Sequence, residues 1–145
     1  MILRHVGITV SDMDRSLGFY RDLLGLEICR EMDEYGDYID NFSGLKDVRV
    51  RTVKMKFEPF NDIMLELLCY SSHPESPDTN LNNSITQIGC SHFAVTVKDL
   101  DSLYEKLMQN DVHMMCEPQT SPDGKAKLTF CRDPDGTLIE LVQML

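Results

Sequence analysis

The segment His5-Val6-Gly7-Ile8-Thr9-Val10-Ser11-Asp12-Met13-Asp14 aligns without a gap on His92-Phe93-Ala94-Val95-Thr96-Val97-Lys98-Asp99-Leu100-Asp101. Internal self-similarity of this kind means one structural plan used twice. Both segments alternate. His5, Gly7 and Thr9 fall on one face and Val6, Ile8 and Val10 on the other, while His92, Ala94 and Thr96 oppose Phe93, Val95 and Val97. Each therefore predicts a strand that carries a histidine on its less bulky face.

Working outward, each strand meets an Asp-x-Asp. Asp12 or Asp99 can accept from the orphan amides of a helix start, and the second Asp favours the positive end of the helix dipole. Leu17, Tyr20 and Leu24 then recur at helical spacing up to Gly25, a left-handed stop. Leu100, Leu103, Leu107 and Met108 do the same up to Asn110-Asp111. These stripes read as core. Strand-like runs follow at 26–32, 48–57 and 63–70 in the first half, and at 112–117, 126–132 and 137–144 in the second, so both halves read βαβββ. Asp133-Pro134-Asp135-Gly136 predicts a type I turn joining the last two strands into a hairpin. The expected organisation is a single α+β domain over 1–145. It consists of module 1–70, a Ser-, Asn- and Pro-rich linker over 71–87 and module 88–145.

The closing strands also match. Ile63-Met64-Leu65-Glu66-Leu67-Leu68 and Thr137-Leu138-Ile139-Glu140-Leu141-Val142 each hold one carboxylate inside an apolar run. A glutamate in a central strand needs a partner or a cation. Taken singly, a strand histidine is more often a hydrogen-bonded structural residue, and a strand glutamate more often solvated. The same two residue types at the same two places in both modules make His5, Glu66, His92 and Glu140 a candidate set for one divalent metal, with zinc, nickel, cobalt, manganese and ferrous iron all compatible. His73 and His113 have no counterparts and read as surface residues. Arg49, Arg51, Lys54 and Lys56 read as a solvated strand face, with a grip on a substrate carboxylate or phosphate as the alternative. Tyr20, Phe57, Phe60, Tyr70 and Phe130 read mainly as core, with cavity lining as the alternative.

Composition narrows the partners. A chain of 145 residues with 42% apolar and 26% charged residues is ordinary globular sequence, and one of this size buries roughly 70% of its unfolded surface. With 24 acidic against 14 basic residues, net −10, its field repels nucleic acid and acidic lipid headgroups. No apolar run is long enough to span a membrane, and the start lacks signal-peptide character, so a cytoplasmic protein is expected. The five cysteines, Cys29, Cys69, Cys90, Cys116 and Cys131, show no C-x-x-C pair and are expected to be buried reduced thiols.

His5-x4-Val10-x-Asp12-x3-Ser16-x2-Phe19-Tyr20-x4-Gly25-Leu26 at the start and Asp133-Pro134-Asp135-Gly136-x3-Glu140-Leu141 at the end resemble the vicinal oxygen chelate superfamily. That superfamily includes glyoxalase I, methylmalonyl-CoA epimerase, extradiol dioxygenases and the fosfomycin and bleomycin resistance proteins. The resemblance implies paired βαβββ modules forming a curved mixed sheet around a metal-binding cavity, commonly in a homodimer. It implies one divalent metal on His5, Glu66, His92 and Glu140, a set similar to that of bacterial glyoxalase I. A dioxygenase would need only His5, His92 and Glu140. The function implied first is a metal-dependent lyase or isomerase. It moves a proton next to a carbonyl of a small carbonyl or thioester substrate through a metal-chelated enediolate, with Glu140, or else Glu66, as base. The alternatives are an epimerase-like racemase, a dioxygenase and a non-catalytic antibiotic-binding protein. Glutathione-dependent members usually carry an arginine four residues after the first ligand and an asparagine four after the second. Here Thr9 and Tyr70 stand in those places.

Overall fold

The computed structural model describes residues 2–57, 63–74, 85, 86 and 88–145. Phe60 and most of the expected linker fall outside the described residues. The chain divides into two compact units, Met1–Pro77 and Asp78–Leu145, each built on a four-stranded mixed sheet.

In the first unit the order is β1 (His5–Thr9), α1 (Met13–Leu17), β2 (Glu27–Tyr35), α2 (Asp37–Ser43), β3 (Arg49–Lys56) and β4 (Met64–Tyr70). The sheet order is β1-β4-β3-β2, with β1 and β4 parallel and the other pairs antiparallel. Asp12 caps α1 as expected, its Oδ1 accepting from the Arg15 amide at 3.0 Å. The helix then widens into a π-type turn over Gly18–Leu23, where the Leu24 amide reaches back five residues to the Phe19 carbonyl. Gly25 ends it at φ +81°, a conformation that favours glycine.

The alternation read from the sequence places Ile8 and Val10 inside, together with Val53, Met55, Leu65 and Leu67 from the central strands and Met13, Leu17 and Tyr20 from the helical segment. Each such side chain is worth about 1.5–3 kcal/mol when fully buried. On the opposite sheet face a second cluster of Ile39, Val48 and Val50 packs with Leu68 and Tyr70. Both faces of β3 are thus covered.

The second unit runs β5 (Phe93–Thr96), α3 (Leu100–Gln109), β6 (Gln119–Thr120), β7 (Ala126–Arg132) and β8 (Leu138–Met144), in sheet order β5-β8-β7-β6. Asp99 caps α3 through the Ser102 amide at 3.0 Å and the Ser102 hydroxyl at 2.7 Å. The Leu100 amide donates to Gln143 Oε1 on β8 at 2.8 Å. The type I turn forms as expected: the Gly136 amide donates to the Asp133 carbonyl at 3.0 Å, and Asp133 Oδ1 accepts from the amides of Asp135 and Thr137.

Four expectations need correction. The strand expected at 112–117 is only an isolated bridge between Met114 and Cys131, with regular pairing delayed to the two-residue β6. Helix α2 was not expected. Met108 is 49% exposed, because only Leu100 and Leu107 of its stripe reach the sheet fully. The cysteines are free, yet Cys131 alone is fully buried, and that burial pushes its thiol up to about 12. Among the described residues no helix is long and apolar enough to cross a membrane.

Candidate metal centre

The register of each parallel strand pair sets the position of one glutamate. Gly7 on β1 lies opposite Glu66 on β4, and Ala94 on β5 lies opposite Glu140 on β8. The small residue leaves room above the sheet, and the histidine two positions earlier on the same face leans into it. His5 Nε2 stands 3.2 Å from Glu66 Oε2, and His92 Nε2 stands 3.4 Å from Glu140 Oε2. The sequence-predicted residues are therefore brought together as two pairs, one in each unit.

The donor spacing suits a cation. Two ligands each about 2.1 Å from one metal, at angles between square and tetrahedral, lie roughly 3.0–3.4 Å apart. Both pairs fall in that range. In the second unit Ser91 Oγ lies 2.9 Å from His92 Nδ1, which ties down one ring nitrogen and leaves Nε2 towards the carboxylate. Two donors are a fragment of a site, and among the described residues no group of three or more His, Cys, Asp or Glu side chains is gathered to hold a metal.

Two neighbours of these pairs, Lys54 and Phe130, read from the sequence first as a solvated strand face and as core, with a site role only as the alternative. Lys54 lies directly across the antiparallel β3/β4 pairing from Glu66, with Nζ 3.0 Å from Oε1. Phe130 holds the same place across from Glu140, its ring edge-on to the His92 imidazole with centroids 5.3 Å apart. The rest of the basic strand divides by face. Arg51 turns to the opposite face, where it holds Asp14 at 3.0 Å and Glu31 at 2.7 Å. An open cleft of about 620 Å³ lies there, at the Arg49 end of β3, and none of the four candidate ligands lines it. Its lining sets Arg49 and Arg51 among Asp12, Asp14, Asp33 and Glu34, an acidic surface in which Arg51 is paired with Asp14. His73 and His113 are exposed, as expected.

Residues 2–141 match the Glyoxalase/Bleomycin resistance protein/Dioxygenase superfamily, and the chain belongs to that family. Among its relatives is a "Probable lactoylglutathione lyase" of Synechocystis, 30% identical over 99% of this chain and 95% of that protein. The chain spans less than half the length of the plant lactoylglutathione lyases it also matches. In fold it is similar to a glyoxalase family protein from Bacillus cereus, with a TM-score of 0.87, 22% identity and coverage of 99% of this chain and 93% of that one.

Proposed function

We propose that the protein is a metal-dependent lyase or isomerase of glyoxalase type, acting on a small carbonyl or thioester substrate. The observation that supports this reading is the repeated pair of an imidazole nitrogen and a carboxylate oxygen at metal-ligand spacing, His5 with Glu66 and His92 with Glu140. A divalent ion held by imidazole and carboxylate donors of this kind, from His5, Glu66, His92 and Glu140, would supply Lewis-acid stabilisation of the charge that develops when a proton leaves the carbon beside a carbonyl.

The protein's own groups divide the remaining work. Glu140 is the base that takes the proton from the carbon beside the carbonyl, because an apolar ring rather than a cation stands across the strand from it. Glu66, engaged by His5 on one oxygen and Lys54 on the other, serves as a fixed ligand. His92, steadied by Ser91 and Phe130, holds Glu140 Oε2 in register. Returning the proton to the neighbouring carbon is isomerisation, and returning it to the opposite face of the same carbon is epimerisation. Thr9 and Tyr70, standing where glutathione-dependent relatives carry arginine and asparagine, keep the epimerase outcome as the second reading.

The test is solvent exchange. Protein loaded in turn with zinc, nickel, cobalt, manganese or ferrous iron is incubated in deuterated water with methylglyoxal adducts of glutathione and other thiols, 2-hydroxyacyl thioesters and methylmalonyl-CoA. Label is expected at the carbon beside the carbonyl of at least one substrate, and Glu140→Gln should abolish it. If no substrate acquires label with any of the metals, the proton-transfer reading fails.

A further inference from the structure

Glu66 is already paired with a cation supplied by the fold. Lys54 sits in the central strand β3, in register with Glu66, and its Nζ lies 3.0 Å from Oε1 while His5 Nε2 lies 3.2 Å from Oε2. Both carboxylate oxygens are therefore engaged. The pair is well shielded, with the Glu66 side chain 13% exposed and that of Lys54 22% exposed. Attraction at this separation is stronger than between solvated surface charges. A lysine is also suited to letting go, because its ammonium is a point charge on a flexible stem that can swing out to water.

The second unit supplies the contrast. At the place of Lys54 it carries Phe130, which offers Glu140 no charge. The backbone arrangement is the same, and so is the imidazole partner.

Resting on the metal reading above, we infer that Lys54 is a resident counter-cation of Glu66, which a metal ion must displace. Metal uptake on the first unit's pair is then an exchange of one cation for another. In the metal-free protein Lys54 keeps the Glu66 carboxylate aimed along the His5 face, so it is neither stranded nor misplaced before the metal arrives. In the loaded protein the ammonium has withdrawn from Oε1. Lys54 is a positioning residue in this scheme, and its contact with Glu66 lowers metal affinity in return for a preformed ligand.

The experiment titrates chelator-stripped protein with zinc and with nickel by calorimetry, alongside thermal melts. It compares wild type, Lys54→Met, Lys54→Gln and Lys56→Met. Lys56 lies on the same strand face but opposite Met64, so Lys56→Met removes an equal charge without touching Glu66. Lys54→Met should bind metal about tenfold more tightly than wild type, with Lys56→Met changing affinity far less. Lys54→Met should also melt below wild type when stripped and regain that difference when saturated. Lys54→Gln, which keeps a polar contact, provides the same comparison should the methionine variant fold poorly. Equal affinities for wild type and the Lys54 variants, or equal gains at positions 54 and 56, would overturn the exchange while leaving the metal reading intact. Absence of metal binding in all four proteins would overturn the metal reading and the exchange with it.

Discussion

Strands β4 and β8 close their units in the same way, yet the carboxylates they carry have different surroundings. Each glutamate faces a small residue across the parallel pairing and is met by a histidine, but across the antiparallel pairing Glu66 finds an ammonium and Glu140 an aromatic ring. Repetition of the backbone plan fixes where the two glutamates stand. The cross-strand residue, which the repeat does not constrain, sets what each one meets: Glu66 lies between two nitrogens, and Glu140 between one nitrogen and a ring.

That contrast can be broken most directly in the exchange assay at saturating metal. Glu140→Gln should slow exchange by about 10²–10⁴, the usual weight of a general base, and Glu66→Gln by much less. Equal losses would mean that the two carboxylates share the proton transfer and that Lys54 does not separate them. A smaller effect is expected in stability. In chelated protein Glu66→Gln leaves the Lys54 ammonium without its partner. The cost should be about 1–2 kcal/mol, between the values for exposed and buried pairs, or roughly 2–8 °C of melting temperature at this chain length. Glu140→Gln should leave the metal-free melting temperature nearly unchanged, and thermal melts in chelator compare the two directly.

The smallest expected difference lies in the helix caps. Asp12→Ala should cost about 1 kcal/mol. The Asp99 carboxyl is held below its usual range by the Ser102 hydroxyl and then the Ser102 amide. A carboxyl lowered in the folded state contributes fully above its ordinary pKa and loses that contribution as the pH falls through the lowered value. The gap in melting temperature between wild type and Asp99→Ala should therefore narrow from pH 7 to about pH 2. A gap that stays constant would show that Asp99 acts through backbone geometry alone.

What was legible in the sequence was local. The histidine strands, both Asp caps, the Gly25 stop and the Asp133-to-Gly136 turn follow from a few adjacent residues whose preferences agree with the final structure. The π-type turn at Gly18–Leu23 was not legible, because apolar spacing alone does not tell a four-residue reach from a five-residue one. Helix α2 was hidden because it buries only Ile39 and exposes Tyr38 and Phe42, so it shows no apolar stripe. Lys54 was hidden for another reason. Val50 and Thr52 are buried on one face of β3 and Val53 and Met55 on the other, so the strand has no alternation from which to read its facing. Only its pairing with β4 reveals that Lys54 and Glu66 share a side. The available signal was a lysine and a glutamate of opposite charge in two otherwise apolar strands.

The parallel pairings β1 with β4 and β5 with β8 join the first and last strands of each unit. Such pairings are distant along the chain, so the entropy of closing the intervening loop must be overcome before they form, and long-range pairings of this sort slow folding. His5 meets Glu66, and His92 meets Glu140, only when that closure is complete. A nascent or partly folded unit thus has neither imidazole beside its carboxylate, and each pair comes together with the final strand of its sheet.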